Sequence, residues 1–227
     1  MAHSVEGHLH LQATEYDRVI RTFIPNYDGM LQEILYRLRT VVPESGKVVD
    51  LGGGTGSLAN AVAESFPTMQ IEIWDTDRAM LAVAEQRLKR FSHRVRMVEK
   101  SFDQPLPECN AVMATLALHH VKELKKKTEI YHNIFKALRS PGIFLNGDCT
   151  MSQQKHIQEA ESCFWTEFMT GQGMTHDEVQ RHFAEWAEED RYFSIFEELG
   201  ALREAGFSQP ECFWKHGPMA VYGGVKS

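Results

Sequence analysis

The sequence predicts an α/β fold built on a Rossmann-like, doubly wound sheet of seven mostly parallel strands. Short apolar runs alternate with helical patterns from residue 47 to residue 146, and a glycine-rich turn joins the first run to the first helix of this series. Alternation at this spacing is typical of a parallel sheet with right-handed crossovers. A short turn between two late apolar runs predicts that the last strand is antiparallel.

The individual elements are predicted from apolar periodicity and from the residues that stop each run. Pro25 ends the first helix, for example, and Pro67 follows the first helix after the glycine-rich turn. The strands are predicted at Lys47–Leu51, Gln70–Trp74, Val95–Val98, Asn110–Thr115, Ile143–Asn146, Glu211–Trp214 and Ala220–Val225. The helices are predicted at Thr14–Phe23, Met30–Leu38, Ser57–Ser65, Ala79–Arg90, Lys122–Leu138 and Phe193–Ala205, and within residues 152–190.

Two helical segments stand outside the alternation of strands and helices. Residues 14–40 precede the first strand and are predicted to form an N-terminal helical cap. Residues 152–190 contain large apolar and charged side chains without a strand pattern, which predicts a helical lid inserted after the fifth strand. We therefore expect a single domain over residues 1–227, a length that one hydrophobic core can support.

Composition limits the classes of function. The net charge of −7 argues against a broad phosphate-binding surface and hence against nucleic acid as a partner. The four cysteines are scattered and form no Cys-x-x-Cys pair, so the sequence predicts no metal site. No apolar segment follows Met1–Ser4, and no apolar run reaches the length of a membrane span. These features predict a cytoplasmic protein without a membrane partner.

The glycine-rich turn after the first strand reads Asp50-x-Gly52-x-Gly54-x-Gly56. Glycine lets a ligand approach the main chain closely, and the first N–H groups of the following helix then face that ligand. A dinucleotide fingerprint also fits residues 54–59. The acid favours another ligand, because a carboxylate is poorly placed beside a pyrophosphate and suits an ammonium group. We therefore predict that these four residues bind a cofactor that carries an ammonium group and no phosphate.

Polar and aromatic residues follow the second and third strands. Asp75 ends the second strand, where a carboxylate can accept hydrogen bonds from both hydroxyls of a ribose, and Thr76 is assigned to the same site. Asp77 is expected to cap the next helix. After the third strand, Phe102 can stack on a base and the Ser101 hydroxyl can reach its exocyclic amine.

Two consecutive histidines, His119 and His120, follow the fourth strand. The end of this strand lies beside the glycine-rich turn, at the switch point where open α/β sheets bind ligands. Leu116 is predicted to pack on the cofactor there. Each histidine is a candidate general base or a donor that orients the substrate, and capping of the next helix is the structural alternative.

The residues that suggest a family are Asp50-x-Gly52-x-Gly54-x-Gly56, Asp75 with Met80-Leu81, Leu118-His119-His120, and Leu202–Phe207 before the last two strands. Together they resemble the class I S-adenosylmethionine-dependent methyltransferases that act on small molecules. The resemblance covers roughly residues 14–151 and 190–227. It implies S-adenosylmethionine as the cofactor and a small molecule as the acceptor. The N-terminal segment is loosely similar to the carboxy-S-adenosylmethionine synthase-like branch.

Three positions depart from the pattern of the family. Lys100-Ser101 stands where the family often has Gly-Asp, so adenine recognition must differ in detail. Asn110 replaces an acid that is common at the start of the fourth strand. No Asn/Asp-Pro-Pro-Tyr/Phe motif follows that strand, which argues against an enzyme that methylates amino groups of nucleic acids.

The acceptor pocket is expected between the histidines and the 152–190 helices. Tyr16 and Tyr27 are expected to close over the methionine end of the cofactor, where Tyr27 would also contact the acceptor. Trp165, Trp186 and Trp214 would form apolar walls. The expected reaction is in-line transfer of a methyl group.

Three alternatives stay open at this point. The first is a member of the superfamily that forms carboxy-S-adenosylmethionine or acts on tRNA, in which Arg18 and Arg21 would contact an anionic group. The second is a protein that binds S-adenosylmethionine without catalysis. The third is an NAD-dependent oxidoreductase, which the dinucleotide fingerprint would fit.

Overall fold

The computed structural model describes residues 12–227, so residues 1–11 of the expected single domain lie outside the described part. Every predicted strand and helix is present. The strands are β1 Lys47–Leu51, β2 Gln70–Asp75, β3 Val95–Glu99, β4 Cys109–Thr115, β5 Leu138–Cys149, β6 Glu211–His216 and β7 Met219–Lys226. The helices are α1 Tyr16–Phe23, α2 Tyr27–Val41, α3 Ser57–Ser65, α4 Arg78–Leu88, α5 Leu124–Ala137, α6 Lys155–Gly171, α7 His176–Glu189 and α8 Ile195–Glu204.

The seven strands form one sheet in the order β3-β2-β1-β4-β5-β7-β6. The strands β1 to β5 are joined by parallel pairs, and β7 runs antiparallel to both β5 and β6. This arrangement confirms the predicted Rossmann-like sheet with an antiparallel last strand. Because the strand order reverses between β1 and β4, a crevice for a ligand is expected at the carboxyl ends of these two strands.

Helices cover both faces of the sheet. Val48 of β1 belongs to the apolar cluster that includes α2, α3 and α4, whereas its neighbour Val49 belongs to the cluster that includes α5 and α8. Side chains of a strand alternate between the two faces, so each strand must be apolar on both sides. This requirement explains why the sequence shows continuous apolar runs in this region.

Strand β5 is longer than its predicted range of Ile143–Asn146. Its pairing with β4 passes from Cys109–Leu138 to Ala111–Ile143, with a register shift between these pairs. The chain thus advances five residues on β5 and two on β4, so residues 140–142 belong to a bulge within the strand. The apolar pattern predicts residues 143–146 of this strand. It does not show that the residues before and after them also pair with neighbouring strands.

Helices α6 and α7 pack against α1 through an aromatic cluster. The ring centroids of Trp165 and Trp186 lie 5.6 Å apart, and the Phe23 ring of α1 lies 5.4 Å from Trp186. The indole N–H of Trp165 donates a hydrogen bond of 2.7 Å to the main-chain oxygen of Phe23. We call α1, α6 and α7 together the helical cover.

Helix α2 packs on the sheet and is not counted as part of the helical cover. Its buried Met30 lies against Gly147 of β5, where an added Cβ would approach the Met30 side chain within 2.8 Å. The chain changes direction between α1 and α2 at Asn26, which adopts a left-handed backbone with φ of 53°. Among the described residues, no helix has the length and apolarity required to cross a membrane.

Candidate active site

A cavity of about 710 Å³ lies at the carboxyl edge of the sheet, between the glycine-rich turn and the helical cover. Its volume falls within the range of small-molecule sites, about 300–1,000 Å³. The walls come from segments that follow β1, β2, β3 and β4 and from the cover. The predicted site residues that line it are Tyr16, Gly52, Gly54, Asp75, Thr76, Ser101, Phe102, Leu116, His119, His120, Trp165 and Trp186.

The glycine-rich turn presents main-chain atoms to this cavity. Gly52 and Gly54 have φ values of 63° and 54°, which favour glycine. A Cβ on Gly52 would lie 2.4 Å from Cβ of Ala117, so a side chain has no room there. Gly56 lies outside the cavity wall, and its added Cβ would meet side chains of α4. Gly56 therefore permits close packing of α3 on α4.

Asp75 links the end of β2 to the glycine-rich turn. One carboxylate oxygen accepts the N–H of Gly54 at 2.8 Å, and the other accepts the N–H of Asp77 at 2.8 Å. Burial raises the pKa of Asp75, and these two hydrogen bonds partly offset the rise. A carboxylate has about four acceptor positions, so acceptor capacity remains for a ligand in the cavity. Asp77 caps α4 by accepting the N–H groups of its first turn, as predicted.

Asp50 is fully buried beneath the turn and is not among the residues that line the cavity. Neither carboxylate oxygen has a hydrogen-bond partner of good geometry among the described residues. Burial raises the pKa of Asp50 to about 8, helped by the charge of Asp75 and offset in part by the N–H of Ala59. Asp50 therefore lies behind the cavity wall, whereas the sequence predicts that it contacts an ammonium group directly. An uncompensated buried acid nevertheless fits a positively charged ligand nearby.

Replacing Asp50 with Asn is expected to stabilise the ligand-free protein near neutral pH. The pKa of Asp50 in the folded state, about 8, exceeds the ordinary value of 3.8, so folding takes up a proton between these limits. As pH rises through this range, the parent should lose up to ~1.4 kcal/mol of unfolding free energy per pH unit relative to the variant.

Urea denaturation of parent and Asp50→Asn between about pH 5 and pH 8 measures this difference. Asp103→Asn, at an exposed carboxylate, is the matched control and should follow the parent. If the Asp50→Asn protein showed the same pH dependence as the parent, the buried acid would not be protonated on folding.

His119 is a buried histidine held by a buried carboxylate. Its Nδ1 lies 2.6 Å from Oδ1 of Asp148 at the end of β5, and that oxygen also accepts the N–H of Cys149 at 2.9 Å. Burial opposes the charged imidazolium, but the charge and hydrogen bond of Asp148 outweigh it and raise the pKa of His119. When Nδ1–H is donated to Asp148, Nε2 is the nitrogen that can accept a proton.

His120 is paired with a second carboxylate, that of Asp190. Its Nδ1 lies 2.7 Å from Oδ1 of Asp190, and Oδ2 of Asp190 accepts the Tyr192 hydroxyl at 2.9 Å. The same Oδ2 lies 3.7 Å from Nε2 of His119, so Asp190 faces both histidines. Helix α5 begins after Glu123, so neither histidine caps it.

The sequence does not lead to the prediction that Asp148 and Asp190 lie beside the two histidines. A signal existed for Asp148, because it stands at the carboxyl end of a strand that neighbours the strand before the histidines. Adjacent parallel strands bring such ends to one edge of the sheet. No local signal marks Asp190, which is 70 residues from His120 in the chain.

Tyr27 and Trp214 do not line the cavity, which differs from the prediction. Tyr27 begins α2 and is buried, with the Arg21 guanidinium 5.1 Å from its ring centre. Trp214 belongs to the edge strand β6 and stacks on His216 at 5.9 Å. Strand β7 lies between β5 and β6, so Trp214 is two strands further from β4 than β5 is.

The doubly wound sheet, with a cavity at its switch point, is the fold of the class I S-adenosylmethionine-dependent methyltransferases. The sequence profile of the O-methyltransferase domain family matches residues 26–190, and the chain belongs to this family. The protein is therefore an enzyme that uses S-adenosylmethionine as its methyl donor. This finding decides against the NAD-dependent alternative.

Individual relatives and structures agree with this class. A carboxy-S-adenosyl-L-methionine synthase of Nautilia profundicola is 19% identical over 211 residues, 92% of this chain and 90% of the relative. A trans-aconitate 2-methyltransferase of Mycobacterium marinum is 33% identical over 104 residues, 43% of this chain and 38% of the relative. The SAH-bound structure of CalO1, a methyltransferase in calicheamicin biosynthesis, matches with a TM-score of 0.62 at 18% identity. That match covers 97% of this chain, which spans 59% of the CalO1 chain.

Proposed function

We propose that the protein transfers a methyl group from S-adenosylmethionine to a hydroxyl oxygen of a small, largely apolar molecule. The main support is the buried pair of His119 and Asp148, joined by a 2.6 Å hydrogen bond at the wall of the cavity. A neutral hydroxyl is a weak nucleophile, and a positioned base accelerates its reaction by about 10²–10⁴-fold. The match to the O-methyltransferase domain family supports the same acceptor atom.

The residues proposed to hold the donor lie on the sheet side of the cavity. Gly52 and Gly54 offer main-chain groups, and Asp75 has acceptor capacity for the ribose hydroxyls. When bound, S-adenosylmethionine supplies a methyl group on a sulfonium sulfur, which departs as a neutral thioether. The charge of Asp50 would favour a cationic donor from beneath the turn. The further residues proposed for this part of the wall are Tyr16, Thr76, Ser101, Phe102 and Leu116.

His119 is proposed to accept the hydroxyl proton while the acceptor oxygen forms its bond to the methyl carbon. Asp148 keeps Nδ1 protonated, so the Nε2 lone pair is directed to the proton that must leave. The resulting imidazolium is stabilised by Asp148 on one side and by Asp190, 3.7 Å from Nε2, on the other. Two carboxylates at this position favour the charged form of His119 as the reaction proceeds.

The helical cover is proposed to enclose the acceptor. Trp165, Trp186, Phe23 and Tyr192 all line the cavity, and these aromatic walls suit a flat or apolar molecule. Trp165 and Phe23 are also joined by a hydrogen bond, which links α6 to α1. An enclosed site excludes water and keeps the acceptor aligned with the methyl group.

Formation of carboxy-S-adenosylmethionine is a second candidate function. The similarity to a carboxy-S-adenosyl-L-methionine synthase over 92% of the chain favours it. An anionic co-substrate would require a cation in the cavity. The two arginines that the sequence suggests as contacts for an anion lie outside the cavity. Arg18 pairs with Glu15 and Arg21 with Asp28, and neither arginine lines the cavity. These two arginines therefore do not supply that cation, although three lysines line the cavity.

One experiment tests both functions. The purified protein is incubated with S-adenosylmethionine and a panel of phenols, alcohols, amines and thiols, and the products are identified by mass spectrometry. We expect S-adenosylhomocysteine and a methylated product with hydroxyl acceptors, and no product when the acceptor is omitted. Turnover confined to amines or thiols would contradict the assignment of oxygen. Carboxy-S-adenosylmethionine bound to the purified protein would favour the second candidate.

A further inference from the structure

We propose that His119, His120 and Asp190 form a binding site for a divalent transition-metal ion of the zinc class. Each side chain offers one ligand atom, and these atoms all lie within 4.8 Å of one another. All three residues line the cavity, so an ion could reach them from it. The spacing of residues in the sequence predicts no such site, because the carboxylate comes from the end of α7, far along the chain from the two histidines.

The types of ligand select the class of ion. Imidazole nitrogens suit zinc and its neighbours, whereas magnesium and calcium prefer oxygen ligands. Two histidines with one carboxylate are a known three-ligand set for zinc, and the fourth position of such a site stays open. Here the open position would face the cavity.

The distances between ligand atoms are close to those that an ion requires. With bonds of about 2.0–2.2 Å, tetrahedral geometry separates ligand atoms by roughly 3.3–3.6 Å. His120 Nδ1 and Asp190 Oδ1 are 2.7 Å apart, while His119 Nε2 and Asp190 Oδ2 are 3.7 Å apart. These distances involve different oxygens of Asp190, and the three ligand atoms lie up to 4.8 Å apart, so side-chain rotation must bring them together around an ion. The ion would replace the hydrogen bond between His120 and Asp190, and neutral His120 would carry its single proton on Nε2.

Two further residues already orient the ligands. Asp148 accepts the Nδ1 proton of His119 at 2.6 Å, which leaves the Nε2 lone pair for an ion. The Tyr192 hydroxyl donates to Asp190 at 2.9 Å and holds its carboxylate in place. A carboxylate behind a ligating histidine is the usual outer shell of a zinc site. The geometry thus supplies both the ligands and their supports.

Occupation by a metal ion has a consequence for catalysis. Nε2 of His119 has one lone pair, so it cannot bind an ion and accept a proton from the acceptor at the same time. A bound ion would therefore act as a reversible inhibitor. This consequence rests on the proposed function, whereas binding of the ion does not.

The binding test uses Co²⁺, whose ligand-field absorption reports protein ligands directly. Co²⁺ alone is titrated into the full chain, followed by visible absorption and calorimetry. We expect saturable binding of one ion, at least ~10-fold weaker in His120→Ala and in Asp190→Asn, in line with the loss of one ligand. His176→Ala, at an exposed histidine, is the matched control and should bind Co²⁺ as the parent does.

Circular dichroism and calorimetry with S-adenosylmethionine test whether each variant is folded. If His120→Ala is not folded, the binding test uses the conservative variant Asp190→Asn alone. Absence of saturable binding, or equal affinity in parent and both variants, would overturn the proposed metal site. Zn²⁺ should also reduce turnover at least tenfold, with recovery on addition of a chelator. If Co²⁺ binds but no acceptor is methylated, the metal site stands and the proposed function fails.

Discussion

The variant His119→Asn is expected to lower kcat by about 10²–10⁴-fold, which is the usual contribution of a general base. Its side-chain amide can donate to Asp148 in place of Nδ1, so the local packing is retained. The amide has no acceptor at the position of Nε2, however, and cannot remove the hydroxyl proton. Affinity for S-adenosylmethionine should stay unchanged, because the donor is assigned to the other side of the cavity.

Initial rates with a hydroxyl acceptor and calorimetry with S-adenosylmethionine together test this expectation. His176→Asn places the same substitution at an exposed position and should keep the kcat of the parent. A His119→Asn protein with the kcat of the parent would remove the general base from the mechanism. A large loss of donor affinity would instead show that His119 organises the donor site.

Replacing Asp75 with Ala is expected to weaken S-adenosylmethionine binding by about 100-fold or more. Hydrogen bonds to a charged group are worth about 1.5–3 kcal/mol each, and two ribose hydroxyls would lose their acceptor. The substitution also leaves the N–H groups of Gly54 and Asp77 without their carboxylate, so the glycine-rich turn would lose its link to β2. Both effects reduce donor affinity.

Calorimetric titration with S-adenosylmethionine measures this loss. Asp75→Asn separates the two effects, because its amide oxygen can still accept the N–H of Gly54 while the negative charge is gone. Asp177→Ala, at an exposed acid in the first turn of α7, serves as the control. Donor affinity equal to that of the parent in Asp75→Ala would refute the assignment of this residue to the ribose.

Residue positions on the sheet side of the cavity follow from the sequence more directly than residue positions on the acceptor side. Asp75, Ser101 and Phe102 lie at one cavity because they follow adjacent strands of a predictable sheet. Trp214 was misplaced because its position depends on which strand pairs with β5, and apolar patterns do not contain that information. Tyr27 was misplaced because the backbone at Asn26 turns α2 onto the sheet.

The sequence by itself determined the fold class, the glycine-rich turn and the histidines at the end of β4. These features follow from local causes, namely apolar periodicity and the backbone freedom of glycine. Only the tertiary structure decided that His119 meets Asp148, 29 residues away, and that His120 meets Asp190, 70 residues away. Such pairs arise where strand order and helix packing bring distant segments together, and no local pattern of residues encodes that arrangement.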